Sequence, residues 1–126
     1  MADESTIKLI LALNDSNLDE EDLEEETQKL LNQMRQLDEV EEVNRVIDRN
    51  PPEGNKSFGG FLMGMLTAEV NPAKIKTVLG FLSNRLMGKS IELEVEFKGK
   101  KLKVKASNQQ ELEAVIQAAR RFVEGN

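Results

Sequence analysis

The sequence contains no histidine, cysteine, tryptophan or tyrosine. Without imidazole or thiol it has neither Ser-His-Asp nor Cys-His machinery, and no usual zinc ligand set. No disulfide can form, so nothing points to an oxidising compartment. Long hydrophobic runs are also missing: the longest, Phe58 to Leu66, has nine residues and includes glycines, far short of a membrane span. The opening Met1-Ala2-Asp3-Glu4 is acidic where a secretion signal would be basic and then apolar. These absences predict a cytoplasmic binding protein, not an enzyme, with no catalytic residues, no metal and no cofactor.

What is present suits one domain over residues 1–126, with 39% hydrophobic and 32% charged residues. The charge is uneven. Residues 1–50 carry fifteen acids and five bases, whereas residues 51–126 carry eight acids and twelve bases. Such a split favours oriented association with charged partners.

Residues 1–6 read as a disordered N-terminus. Ile7, Leu9, Leu11 and Leu13 alternate as one face of a strand, and Ile10 and Ala12 make its other face partly apolar. A strand apolar on both sides is usually central in its sheet. Capping residues at Asn14–Asn17 introduce a helix to about Leu37, with Leu23, Leu30, Leu31, Met34 and Leu37 on one apolar stripe. Its first turns hold Asp19, Glu20, Glu21, Asp22, Glu24, Glu25 and Glu26, which suit the positive end of the helix dipole. An acidic docking surface is the sharper reading of the same residues.

Val40 to Arg49 reads as a second strand, ended by Pro51-Pro52. The Pro/Gly loop 51–60 follows, and residues 58–88 read as an apolar helical segment. In that segment Phe61–Leu66 forms a short helix, and Asn71-Pro72 starts a second that buries Ile75, Val78, Leu79, Leu82 and Leu86. Residues 91–106 predict a β-hairpin. Ile91 to Phe97 alternates apolar with acidic, Lys101 to Ala106 alternates basic with apolar, and a Lys98-Gly99 turn pairs Glu96 with Lys101, Glu94 with Lys103 and Glu92 with Lys105. Asn108 and Glu111 form a capping pair before a helix over 109–124, with Leu112, Val115, Ile116, Ala119 and Phe122 on one stripe. The predicted order is β-α-β-α-α-β-β-α. It makes an α+β two-layer sandwich, a ferredoxin-like variant with a four-stranded mixed sheet, helices on one face, and a right-handed parallel crossover in the first β-α-β unit.

Lys56-Ser57 follows Asn55 where a phosphate-binding loop needs glycine, so nucleotide hydrolysis is not expected. A looser anion site at Gly54, Lys56, Gly59 and Gly60 remains a reading, against the plainer one of a turn that needs its glycines. Lys98, Lys100, Lys101, Lys103 and Lys105 form a basic strip. It lacks the arginines and stacking aromatics of nucleic-acid binders and reads as a lysine-protected sheet edge.

In the order strand Ile7–Leu13, long helix to Leu37, turn Pro51-Pro52-Glu53-Gly54-Asn55-Lys56 with Gly59-Gly60, apolar segment to Arg85, hairpin Ile91–Ala106 and helix with Glu111-Leu112-Glu113, the chain resembles the type one effector-associated constant component family of bacterial conflict systems. It departs from that pattern at Phe81-Leu82, where a tryptophan would be more typical. The resemblance implies a small partner component of caspase-like or trypsin-like effector proteases, and it carries no catalytic residues across. The expected function is therefore a protein-binding adaptor, with a homodimer compatible. Alternatives are a membrane-active component working through residues 58–87, or a sensor of a small anionic ligand at Lys56.

Overall fold

The computed structural model describes residues 6–14, 17–47, 57–58 and 61–125. The elements are β1 (Ile7–Leu13), α1 (Glu20–Arg35), β2 (Val40–Ile47), β3 (Ser57–Phe58), β4 (Phe61–Val70), α2 (Ile75–Arg85), β5 (Ile91–Phe97), β6 (Lys100–Ala106) and α3 (Gln109–Glu124). The chain is α+β. The expected positions Gly54, Lys56, Gly59 and Gly60, most of the loop 51–60, and residues 1–5 lie outside the described residues.

One antiparallel sheet runs β2-β4-β1-β5-β6, with β3 pairing the start of β4. This corrects the four-stranded mixed sheet. Strand β1 is central, as its two apolar faces predict. The first β-α-β unit does not pair its strands: β4 lies between β1 and β2 and is antiparallel to both, so the two run the same way without touching. In the same way, α2 links β4 and β5 across β1.

The main correction concerns residues 61–66, which form the first part of a ten-residue strand and not a helix. A short apolar run carries no period that separates helix from strand. The decisive pattern lies just downstream, where Leu66, Ala68 and Val70 are buried and Thr67 and Glu69 are half-buried. The observed order is therefore β-α-β-β-β-α-β-β-α. Strand β2 also departs from simple alternation. Its register with β4 shifts between Val40 and Glu42 and again between Arg45 and Ile47, which leaves Val43 buried but Ile47 58% exposed.

The helices cover one face. Ile7, Leu9, Leu11 and Leu13 join Leu66, Val70, Leu93 and Val95 in a single core with Leu30, Met34, Val78, Leu82, Leu112 and Val115 of the helices. Helix α1 packs on β2 and β4, α3 on β5 and β6, and α2 against α3. Thr27 is fully buried in this layer and satisfied locally, its Oγ1 donating to the Leu23 carbonyl at 2.7 Å. The cap of α1 is Asp19, not the Asn14–Asn17 group, and its carboxylate accepts from the Asp22 N–H at 2.8 Å. Asn71 caps the 3-10 turn before α2, with Pro72 at the first position. Asn108 caps α3 while Glu111 accepts from the Ser107 N–H, one residue before the cap.

The hairpin has the predicted register throughout, from Glu96↔Lys101 to Glu92↔Lys105. Its turn residues Lys98 and Gly99 have φ of 53° and 78°, the left-handed pair that a two-residue turn between twisted strands requires. Among the described residues no helix is long and apolar enough to cross a membrane.

Candidate binding face

Among the described residues the sheet's second face carries no helix, because α1, α2 and α3 share the core on the opposite side. Its side chains follow from the strand registers. One row across the sheet reads Glu42, Glu69, Lys8, Glu96, Lys101. The next reads Asn44, Thr67, Ile10, Glu94, Lys103, and the third Met65, Ala12, Glu92, Lys105.

The face is thus charged along one end and along the β5–β6 side, and apolar where Ile10, Ala12, Met63 and Met65 meet. Two shallow depressions of about 350 and 280 Å³ share Ile10 and Met65; Val46 and the exposed Ile47 border the second. Methionine side chains are unbranched and polarizable, so such a surface can adapt to the shape of what covers it.

The edges of the face are tied down unevenly. Asn14 Nδ2 donates to a Glu92 carboxylate oxygen at 2.8 Å, and Lys101 Nζ stands 3.8 Å from Glu96. At the β2 end, Glu42 and Glu69 are directly opposed. A hydrogen bond shared with Glu42, partial burial and the negative charges of Glu42 and Glu41 push the Glu69 carboxyl above its ordinary value of 4.5, with Lys8 opposing.

That shift has a definite sign. Since the folded value lies above the unfolded one, the folded chain holds a proton through a window that opens near 4.5 and closes at the raised value. Stability contributed by this group is present below the window and is lost as pH rises through it. Glu69→Gln should therefore raise the melting temperature at pH 7, by an amount matching roughly 0.5–1 kcal/mol for relief of an opposed like-charge pair. The advantage should vanish below pH 4.5, and thermal melts of both proteins across pH 3–8 check it. An equal gain at every pH would contradict the assigned cause.

The acidic run of α1 lies in the helix layer, away from this face, and much of it has structural work. Asp19 caps the helix, Glu24 pairs with Arg45 of β2, Glu25 with Lys29 and Glu26 with Arg85 of α2. The Arg85 hydrogen bond holds the Glu26 carboxyl below its ordinary value, against the opposing effect of burial. Glu20, Glu21 and Asp22 remain exposed in the first turn. Among the described residues no three acids converge as a metal-holding group.

Of the residues singled out beforehand, Ile10, Ala12 and the hairpin charges come together here. Met63, Met65 and Thr67 were missed because their strand was read as helix. The alternation from Leu66 to Val70 was the available signal.

Compared with family models, curated proteins and solved structures, the chain matches none.

Proposed function

We propose that this chain is a non-enzymatic partner component that binds another protein across the uncovered face of its sheet. The observation carrying the reading is that face itself: an apolar centre of Ile10, Ala12, Met63 and Met65 in the middle strands, bordered by charged rows. An apolar centre with a polar rim is the usual anatomy of a protein interface. The charges suit a partner with basic groups toward Glu42 and Glu69 and acidic groups toward Lys103 and Lys105. We read the frame as a ferredoxin-like variant, two interlocked split β-α-β units extended by β6 and α3. The resemblance to effector-associated components makes an effector protease of a bacterial defence system the partner class to test first. For the membrane reading only α2 remains helical, since the first part of its segment is strand β4.

The test is co-purification with the products of neighbouring genes, comparing the natural chain with Met65→Lys. The charge placed at the centre of the face should weaken capture by more than tenfold with the melting temperature little changed, as expected for an interface anchor. Undiminished capture by Met65→Lys would remove the face from the function. Light scattering supplies the other arm: a dimer of the natural chain that Met65→Lys dissociates would make a second copy the occupant and overturn the adaptor reading.

A further inference from the structure

A second surface, adjoining the open face along its lysine column, lies along the outer edge of β6. Among the described residues this strand ends the sheet and pairs only with β5. Its seven residues keep one unbroken register, from Phe97↔Lys100 to Ile91↔Ala106. The two-residue turn makes Phe97 and Lys100 a mutually bonded pair. Bonded and non-bonded pairs then alternate, so the N–H and C=O groups of Lys101, Lys103 and Lys105 point to the free edge. A regular edge of this kind is a template for another strand.

Two further features decide what strand would fit. On the open side of β6, Lys101, Lys103 and Lys105 form an exposed column. Among the described residues Lys101 pairs with Glu96, whereas Lys103 and Lys105 have no carboxylate within 4.0 Å. On the helix side, a groove of about 310 Å³ runs between β6 and α3, lined by Val104, Ala114, Val115 and Ala118 and bordered by Lys105 and Glu111. Small side chains on α3 leave that space open beside the half-buried Val104.

We infer that the β6 edge is a strand-addition site for an extended acidic segment of another protein, one whose side chains alternate carboxylate with apolar. The added backbone would complete the free edge, its carboxylates would face the lysine column, and its apolar side chains would enter the groove against α3. Main-chain pairing supplies the attachment and the alternate pockets supply the choice of sequence. The chain already contains the template, since β5 meets the other edge of β6 with the sequence Ile-Glu-Leu-Glu-Val-Glu-Phe. A second copy is a poor occupant: antiparallel β6–β6 pairing opposes lysine to lysine, and β5 is enclosed between β1 and β6. The same lysines thus block self-association and select an acidic guest.

The probe is a synthetic peptide with the sequence of residues 91–97, acetylated and amidated, titrated into the isotope-labelled full chain. Saturable amide shifts are expected on Leu102–Ala106 and on residues 114–118. Replacing the three peptide glutamates by lysine should weaken binding at least tenfold, and pairing that peptide with the Lys103→Glu/Lys105→Glu chain should restore it. Ala118→Glu, which fills the groove from α3 and leaves the sequence of β6 unchanged, should also weaken binding at least tenfold. Peptide N-methylated on alternate residues should lose binding at unchanged charge, and these peptide arms need no folded variant. Shifts centred on Ile10 and Met65, no saturation, or equal binding by the N-methylated peptide would each overturn the proposal.

Discussion

Replacing Gly64 with valine is expected to cost about 3 kcal/mol, a fall of roughly 10 °C in melting temperature for a domain of this size. Gly64 sits in β4 at φ 78°, between the two β2 pairings Arg45↔Leu66 and Ile47↔Phe61 whose registers disagree. A side chain in that backbone region costs about 1–2 kcal/mol on its own. A Cβ there would also stand 2.9 Å from the Leu13 carbonyl oxygen and 3.5 Å from Leu23. The obstructing atom is backbone, and rotamer change cannot move it. Strand β1 is fixed at that end by the Leu13↔Ile91 pair and by the Asn14 N–H donating to the Ser90 carbonyl at 2.9 Å. Gly80 is the internal control, because in α2 nothing lies within 4 Å of its Cβ position. There alanine should stabilise by up to about 1 kcal/mol. Urea unfolding of both variants reads the contrast, and a loss below about 1 kcal/mol at Gly64 would show that the strand relaxes around the added atoms.

Gly64 also marks where reading the sequence went wrong. Phe61-Leu62-Met63-Gly64-Met65-Leu66 is apolar at nearly every position, so neither period is visible in it. The strand is apolar on both faces because β4 sits inside the sheet, with core on one side and the Ile10–Met65 patch on the other. Position within the sheet is a tertiary property that local pattern does not carry. The hairpin is the opposite case. Each of its faces has one chemical character, and a one-residue slip would set Glu96 or Lys103 against the core, so alternation alone fixed the register. Helices α2 and α3 were legible for the same reason, since their buried residues fall at helical spacing beside recognisable caps.

The candidate face was legible only in halves. Ile10 and Ala12 posed the question of what covers the second side of β1, and the lysine and glutamate columns of the hairpin were plain in the sequence. Joining them required β4 to pass between β1 and β2, which brings Met63, Met65 and Glu69 onto the same surface. That arrangement depends on pairing between residues distant in sequence. The acidic run forms the helix start expected of it, but its pairing of Glu24 with Arg45 and Glu26 with Arg85 was not legible, because those arginines come from elements that lie far along the chain.

The Arg45 pair yields the second large effect, and its size depends on which partner is removed. Arg45 Nη1 and Nη2 donate to the two carboxylate oxygens of Glu24 at 2.6 Å each. The arginine side chain is 7% exposed and the glutamate 19%. Glu24→Ala leaves a nearly buried guanidinium without its carboxylate and should cost about 3 kcal/mol. Arg45→Met removes the more deeply placed charge, fills its volume with an apolar chain, and leaves a carboxylate on α1 with better access to water. That change should cost about 1 kcal/mol. The double variant Glu24→Leu/Arg45→Met should recover most of the loss, so a double-mutant cycle should give strong coupling. Salt up to 1 M should change the natural chain little, since a pair this enclosed is screened less than a surface one. If Arg45→Met proves as damaging as Glu24→Ala, desolvation is not what sets the asymmetry. The pair also bears on recognition: Arg45 anchors β2 to α1 at the bulge that turns Val46 and Ile47 toward the open face. Glu24→Ala should therefore blur that edge of the face, while leaving the lysine column of β6, at the far end of the sheet, unaltered.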